Sequence, residues 1–204
     1  PTQAWKMGHF GEQWRSGETI VSSIGQGYIQ STPLQLATMT ARLVNGGYAV
    51  KPWMTGYIGD KPGQDASWPK IGFSPANLQM IIKGMNRVVG HPKGTAHEAQ
   101  IPDPAFAMGG KTGTAQVMRI TKEARLEGVN NADLPWKYRH HALFVGYAPV
   151  SSPRYACSVV VEHGGSGSAT AAPIARDLLL KAQQRDPAST PLTPPGGVAH
   201  IATP

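Results

Sequence analysis

The segment 109–115, Gly-Gly-Lys-Thr-Gly-Thr-Ala, constrains the fold more than any other, because it holds only small and hydroxyl-bearing residues around one lysine. We predict a strand over residues 110–117. Gly110 and Gly113 have no side chains, so another molecule can approach the backbone of such a strand closely. The segment therefore predicts a strand with an accessible edge.

The polar side chains of this strand predict a site for an anionic peptide. Thr112 and Thr114 are two residues apart, so both hydroxyls face one side of a strand, and Lys111 supplies a cation. This combination suits an extended peptide that ends in a carboxylate and adds as a further strand. Backbone N–H groups at such an edge can also stabilise a tetrahedral oxyanion. The alternative is an ordinary Gly/Thr-rich strand with a surface lysine.

Two apolar runs, 141–148 and 155–162, predict two more strands because they are rich in β-branched and aromatic residues. The connection 149–154 is turn-forming and suits a hairpin between them. Both runs are apolar at odd and even positions. We therefore expect a sheet that is covered on both faces.

Two helices are predicted before the strands. The first is capped by Thr32, opens at Pro33 and stops at the glycines 46–47. The second is capped by Ser74 and runs from Pro75 to Gly90. Their apolar stripes, expected in the core, are Leu36, Thr40, Leu43 and Val44 in the first helix and Leu78, Ile81, Ile82, Met85 and Val88 in the second.

The other segments carry weaker signals. Residues 1–30 are rich in Gly, Trp and Ser and predict a loop. Residues 119–139 form a charged insertion, for which a functional role and a plain surface excursion are equally open. A last helix is expected over 170–185, and residues 186–204 are expected to form a disordered Pro-rich tail. One side of the last helix carries Ile174, Leu178 and Lys181.

Composition excludes several classes of function. The net charge is +7, but the Lys and Arg residues are scattered, so a nucleic-acid partner is not expected. The one cysteine, Cys157, allows no disulfide within the chain and no Cys/His zinc spacing, and we expect it to be a small buried residue. We predict no metal site and no cofactor. No apolar stretch is long enough to span a bilayer, and the start suggests a piece of a longer protein.

Three motifs near the first helix place the Lys-Thr-Gly strand in a known context. They are Ile24-Gly25-Gln26-Gly27-Tyr28, the run Ser-Thr-Pro-Leu-Gln-Leu-Ala at 31–37, and Asn45-Gly46-Gly47. Together with the Lys-Thr-Gly triplet they resemble class B penicillin-binding proteins. Gly94-Thr95-Ala96-His97 and the segment 162–167 resemble an elongation-specific branch of that family. The resemblance covers residues 1–185, as the C-terminal part of the transpeptidase domain.

The resemblance implies an α+β fold, the penicillin-binding/β-lactamase-like transpeptidase fold, with an antiparallel sheet of about five strands flanked by helices and incomplete in this chain. It implies Lys111 and Thr114 as catalytic residues, the Thr114 N–H serving the oxyanion hole. The substrate-binding residues it implies are Thr112, Gly113, Thr114, Gln116 and His97. The segment Glu162-His163 is expected near the cleft.

The family's serine nucleophile lies in an S-x-x-K motif, which must place Ser and Lys on adjacent turns of one helix. The only formal match, Ser67-Trp68-Pro69-Lys70, lies in a loop-like segment, and we interpret it as a coincidence. We expect the true motif in an N-terminal part of the same domain that is absent here. A β-lactam sensor domain and a serine β-lactamase of the same fold are the alternatives to a transpeptidase.

The partners implied are a peptidoglycan stem peptide ending in D-Ala-D-Ala, β-lactam antibiotics, the missing N-terminal part and a membrane glycosyltransferase of the elongation machinery. The implied location is the periplasm, with an inner-membrane anchor outside this sequence.

Overall fold

The computed structural model describes residues 1–59, 61–63, 67–115, 117 and 131–187. The chain divides into two compact units, Pro1–Thr32 and Pro33–Pro204. No helix in the described ranges is long and apolar enough to cross a membrane.

The first unit is helical, so the predicted loop over residues 1–30 is wrong. It contains α1 (Gln3–Phe10) and α2 (Ser16–Ser23). Helix α1 is capped by Thr2, whose hydroxyl accepts a hydrogen bond from the Trp5 N–H at 3.1 Å. Each helix has only eight residues, which is too few turns for an apolar stripe to repeat and be recognised.

A buried lysine joins the two helices of this unit. Lys6 is almost fully covered, and its ammonium donates to Glu18 Oε1 at 2.6 Å and to the Gln13 carbonyl at 3.0 Å. Glu18 also accepts from the Arg15 N–H at 2.7 Å, and this bond is the main cause of its lowered pKa. The buried cation is therefore paired and hydrogen-bonded, as burial of a charge requires.

The second unit begins with the two predicted helices, α3 (Pro33–Val44) and α4 (Pro75–Gly90). In the chain, these helices are separated by a small antiparallel pair of strands, β1 (Tyr57–Ile58) and β2 (Lys61–Pro62). Ser74 occupies the N-cap position of α4, but its side chain makes no cap hydrogen bond there. The buried residues of α4 are Leu78, Met85 and Val89, whereas Ile81 is exposed.

The sheet consists of three antiparallel strands in the order β3-β4-β5, namely β3 (Gly109–Ala115), β4 (His141–Ala148) and β5 (Tyr155–Val161). The register of β3 on β4 runs from Gly109 opposite Tyr147 to Ala115 opposite His141. All three predicted strands are confirmed, β4 with its predicted bounds.

Helices cover both faces of the sheet, as predicted. A π turn, Gly167–Ala171, leads into α5 (Ala172–Arg185), which packs along β4 and β5. Helix α3 packs along the same two strands, and α4 packs along β3. The core around Phe144 contains Val89, Ala96, Ala99, Ile101, Met108, Ala142, Ala148, Val159, Ala171, Ala172, Ala175 and Leu179.

Tyr147 fixes the other face of β4 to α4. Its hydroxyl donates to Asn86 Oδ1, and burial raises the pKa of the phenol to about 12 although this hydrogen bond lowers it. Because Phe144 and Tyr147 have opposite parity on one strand, α5 and α4 lie on opposite faces of the sheet.

Asp186, the first residue of the predicted tail, is the C-cap residue of α5. Its carboxylate accepts from Arg154 at 2.9 Å and from the Tyr155 hydroxyl. Beyond residue 187 the predicted tail lies outside the described residues.

Candidate active site

Strand β3 is an edge strand within the described part of the chain. It pairs with β4 on one side, and no described strand lies along its other side. A row of backbone N–H and C=O groups on such an edge is a template for an added strand. The predicted accessible edge is therefore present.

The side chain of Lys111 indicates which backbone groups point to the open side. Its Nζ donates to the Thr112 carbonyl at 2.7 Å, a bond made along the strand rather than across to β4. In an antiparallel ladder the N–H and C=O of one residue point the same way, and they alternate along the strand. Thr112 and Thr114 therefore direct their backbone groups to the open edge, while Lys111 and Gly113 direct theirs to β4.

The two hydroxyls lie on one face of β3, as predicted. Thr114 is exposed, whereas Thr112 is half-buried and its Oγ1 lies 3.2 Å from the Oγ1 of Thr95. Lys111 is exposed and, one residue away, projects from the opposite face. Within the described ranges no carboxylate forms an ion pair with Lys111. Among the described residues, the strand therefore offers two hydroxyls and a cation without an ion-pair partner around one open edge.

The glycines of β3 make room for neighbouring groups of the chain itself. A Cβ at Gly110 would lie 2.4 Å from the Phe144 ring, and one at Gly113 would lie 3.2 Å from the Leu143 Cβ. Phe144 therefore fills the face of the strand at Gly110, and the predicted close approach of another molecule to the backbone edge stays a prediction.

His97 begins a short 3₁₀ helix, His97–Ala99, after the turn that follows α4. Its Nδ1 is 3.0 Å from Gln100 Nε2 and 3.2 Å from the Val89 carbonyl, to which Gln100 also donates at 3.1 Å. The imidazole is thus tied to the end of α4, and its contact with substrate stays a prediction. Gln116, the other predicted substrate-binding residue beside the strand, lies outside the described residues.

The contact of Thr95 with Thr112 is the part of the site that sequence reasoning missed. In the sequence, Thr95 stands out only as part of the motif Gly94-Thr95-Ala96-His97. The two threonines are 17 residues apart in the chain. Neither spacing nor periodicity across a turn and an irregular segment could have joined them.

A histidine and tryptophan cluster lies at the C-terminal end of β3, where His141 pairs with Ala115. The His163 N–H donates to His141 Nδ1 at 2.9 Å, and the Trp136 and His163 rings lie 4.2 Å apart between centroids. His163 therefore lies close to the end of β3, and its expected position near the cleft stays a prediction. His140, which directly precedes β4, is buried.

The Ser67–Lys70 match has no helical setting. Residues 67–69 have no regular secondary structure, and Lys70 forms an isolated antiparallel bridge with Tyr48. The ammonium of Lys70 lies 5.3 Å from the centroid of the Tyr48 ring. This pair therefore lacks the geometry that would let the amine activate the hydroxyl, in agreement with the interpretation as a coincidence.

Comparison with known proteins identifies relatives of this chain. A family model described as the penicillin binding protein transpeptidase domain matches residues 6–180. The peptidoglycan D,D-transpeptidase MrdA of Haemophilus influenzae is 35% identical over 188 residues, which cover 88% of this chain and 28% of the relative. MrdA of Acinetobacter baumannii is 36% identical over 205 residues, which cover 92% of this chain and 28% of the relative.

Solved structures agree. Penicillin-binding protein 2 of Pseudomonas aeruginosa, in complex with WCK 5153, matches with a TM-score of 0.72 and 36% identity over 95% of this chain and 39% of that chain. Penicillin-binding protein 2 of Helicobacter pylori, in a complex with MreC, matches with a TM-score of 0.73 and 29% identity over 91% of this chain and 31% of that chain. The chain thus spans well under half of the length of these relatives.

Proposed function

The chain belongs to the penicillin-binding protein transpeptidase domain family, and from that premise we propose that the whole protein is a peptidoglycan D,D-transpeptidase that works through a serine acyl-enzyme. The observation that carries the proposal is the open edge of β3, around which Thr112, Thr114 and Lys111 present two hydroxyls and a cation. The serine and its activating lysine would come from parts of the protein outside this chain.

The reaction has two acyl transfers. The serine Oγ attacks the penultimate D-Ala carbonyl of a stem peptide, the peptide C–N bond breaks, and the terminal D-Ala leaves with the proton that the serine has lost. An amino group of a neighbouring stem then attacks the acyl-enzyme, forms the cross-linking peptide bond and releases the serine. A β-lactam acylates the same serine because its strained amide takes the place of the D-Ala-D-Ala bond.

The described residues would bind the terminal carboxylate of the stem. The Thr112 and Thr114 hydroxyls lie on one face of the strand beside its open edge, and Lys111 adds positive potential from a neighbouring position. A hydrogen bond to a charged group contributes roughly 1.5–3 kcal/mol. The carboxylate would thus orient the scissile bond along β3, in the manner of an added strand.

The Thr114 N–H would serve the oxyanion. The direction of the ladder supports this role, because the Lys111 bond to the Thr112 carbonyl indicates that the backbone groups of Thr112 and Thr114 point to the open side. A backbone donor fixed in a sheet costs little reorganisation when charge develops on the substrate oxygen. Gly113, whose backbone faces β4, would keep Thr112 and Thr114 directed to the same side of the strand.

The setting of the whole protein is also part of the proposal. The intact enzyme would be anchored to the inner membrane and would work in the periplasm with a membrane glycosyltransferase of the elongation machinery. A complex with MreC is named for the Helicobacter pylori protein, and an equivalent partner would suit this one.

The test is acylation of the intact protein by a fluorescent penicillin. We expect Thr114→Val to lower the second-order acylation rate constant by about one to two powers of ten, because it keeps the shape and removes one charge-assisted hydrogen bond. Lys111→Ala should lower the rate further. Lys181→Ala is the control, because this exposed lysine lies on α5. Acylation of Thr114→Val at the wild-type rate would place the carboxylate elsewhere.

The product of the reaction separates the three candidate activities. A transpeptidase joins two stem peptides that carry D-Ala-D-Ala. A sensor domain is acylated by penicillin but forms no cross-link. A β-lactamase hydrolyses the β-lactam with turnover, so release of hydrolysed penicillin without cross-linking would contradict the proposal.

A further inference from the structure

We propose that Thr95 is a positioning residue for the carboxylate site and that it acts through the hydroxyl of Thr112. The inference rests on the proposed function, because it assigns Thr112 a carboxylate to bind. Its basis is the 3.2 Å contact between the two Oγ1 atoms, in which either can be the donor.

The backbone that carries Thr95 is fixed on both sides. The Gly94 N–H donates to the His91 carbonyl at 2.7 Å, and the Ala96 N–H donates to the Val88 carbonyl at 2.9 Å. Ala96 is buried in the core. Thr95 itself is exposed. The turn therefore holds the Thr95 hydroxyl in place without requiring its side chain for packing.

Gly94 shows how closely this turn fits the end of α4. A Cβ at Gly94 would lie 2.3 Å from the Val88 carbonyl oxygen and 2.4 Å from that of Arg87. One residue beyond Ala96, His97 is held by Gln100 and the Val89 carbonyl. Successive residues around Thr95 are thus tied to one rigid helix end, which makes the Thr95 Oγ1 a defined fixed point beside β3.

A hydroxyl has one proton and two lone pairs. When the Thr112 hydroxyl donates its proton to a carboxylate, its oxygen is free to accept the proton of Thr95. The resulting chain runs from Thr95 through Thr112 to the carboxylate, and each bond polarises the next. Thr95 thereby selects the one rotation of the Thr112 hydroxyl in which its proton points away from the turn and toward the substrate.

A merely structural role for Thr95 would have a different signature. If the contact only tied the turn to β3, its loss would slow acylation by every ligand, with or without a carboxylate. A positioning role disappears when either the Thr112 hydroxyl or the ligand carboxylate is absent. A β-lactam acid and its methyl ester therefore distinguish the two roles.

The experiment measures second-order acylation rate constants of the intact protein with benzylpenicillin and with its methyl ester. We expect Thr95→Val to slow acylation by the acid about threefold to tenfold, the loss of one neutral hydrogen bond, and to leave acylation by the ester unchanged. Thr95→Ser should restore the wild-type rate. In a Thr112→Val background, Thr95→Val should have no further effect. Thr95→Ala also removes the hydroxyl but leaves no branched side chain, so it should slow acylation by the acid to the same extent as Thr95→Val.

Equal slowing of acid and ester would overturn the inference in favour of a structural contact. A full effect of Thr95→Val in the Thr112→Val background would overturn it by showing that Thr95 does not act through Thr112. If Thr95→Val and Thr95→Ala both acylate at the wild-type rate, Thr95 has no positioning role and the inference is overturned. The proposed function still stands in that case if Thr112→Val slows acylation by the acid but not by the ester. Absence of acylation in the wild type would remove the proposed function and this inference with it.

Discussion

Gly110 and Gly84 differ in the space that surrounds a Cβ atom at each position. A Cβ at Gly110 would lie 2.4 Å from both the Phe144 ring and the Val145 carbonyl oxygen. Gly84 is an exposed position inside α4, and a Cβ there would have no neighbour within 4 Å. The same substitution is therefore expected to change stability in opposite directions at the two sites.

We expect Gly110→Ala to lower the free energy of unfolding by roughly 1–3 kcal/mol, because the new methyl group overpacks a rigid strand. Gly84→Ala should raise it by roughly 0.5–1 kcal/mol, because alanine loses less backbone entropy in a helix. Urea denaturation of the two variants, followed by circular dichroism, measures both. A stable Gly110→Ala protein would show that β3 can move away from Phe144.

Cys157 is expected to be an unreactive thiol. Burial raises its pKa to about 11, although a backbone hydrogen bond with Gly146 lowers it. At pH 8 such a thiol holds roughly two powers of ten less thiolate than an unperturbed cysteine. Iodoacetamide should therefore modify the native protein at least that much more slowly than the urea-unfolded protein. Equal rates in the two states would mean that β5 opens readily.

At the residue scale, the sequence indicated which side chains lie on β3 but not which residues contact them. Lys111, Thr112 and Thr114 could be selected because alternation on a strand is a local rule. The partner of Thr112 and the occupant of the space above Gly110 could not, because Thr95 and Phe144 come from other parts of the chain. Cys157 was expected to be buried from its apolar run, and the structure places it half-buried in β5.

At the scale of elements, α5 shows that a sequence pattern can predict a helix without predicting which side of it is buried. The helix was predicted over 170–185 and is observed over Ala172–Arg185. Its buried residues are Ala172, Ala175 and Leu179, whereas Ile174 and Leu178 are exposed. Alanines carry little hydrophobic signal, so the sequence could not identify the side of this helix that faces Phe144.

Adjacent leucines of α5 make a matched test of this packing. Leu179 is 2% exposed and lies in the core, whereas Leu178 is 54% exposed. In the intact protein, we expect Leu179→Ala to cost about 2–5 kcal/mol of unfolding free energy because it leaves a cavity. Leu178→Ala should change it by less than about 0.5 kcal/mol. An equal cost for both would show that a part of the protein outside this chain covers Leu178.

At the scale of the whole molecule, the family and the fold class were predictable because several motifs agree with one another. The three strands, the two helices before them and the helix after them are observed in the predicted order. The helices of Pro1–Thr32 were missed because their stability depends on capping and on the buried Lys6, neither of which produces a periodic pattern. The described residues contribute three strands to the main sheet, so the sheet of about five strands stays a prediction.

The last prediction concerns the apolar surface of this chain on its own. Several large apolar side chains of α3 and α4 are exposed, among them Leu34 (61%), Met80 (73%) and Ile81 (44%). The chain spans only 28% of the length of the MrdA proteins of Haemophilus influenzae and Acinetobacter baumannii. We therefore expect other parts of the intact protein to cover these residues. Exposed apolar patches bind hydrophobic dyes and promote association. Expressed alone, residues 1–204 should therefore enhance ANS fluorescence and elute above the monomer position in gel filtration, whereas the intact protein at equal molarity should do neither. Replacing Met80 by Lys in the isolated chain should reduce both signals, while the same change in the intact protein should destabilise it. A monomeric isolated chain that melts cooperatively without binding ANS would contradict this prediction and would show that the segment folds as an independent domain.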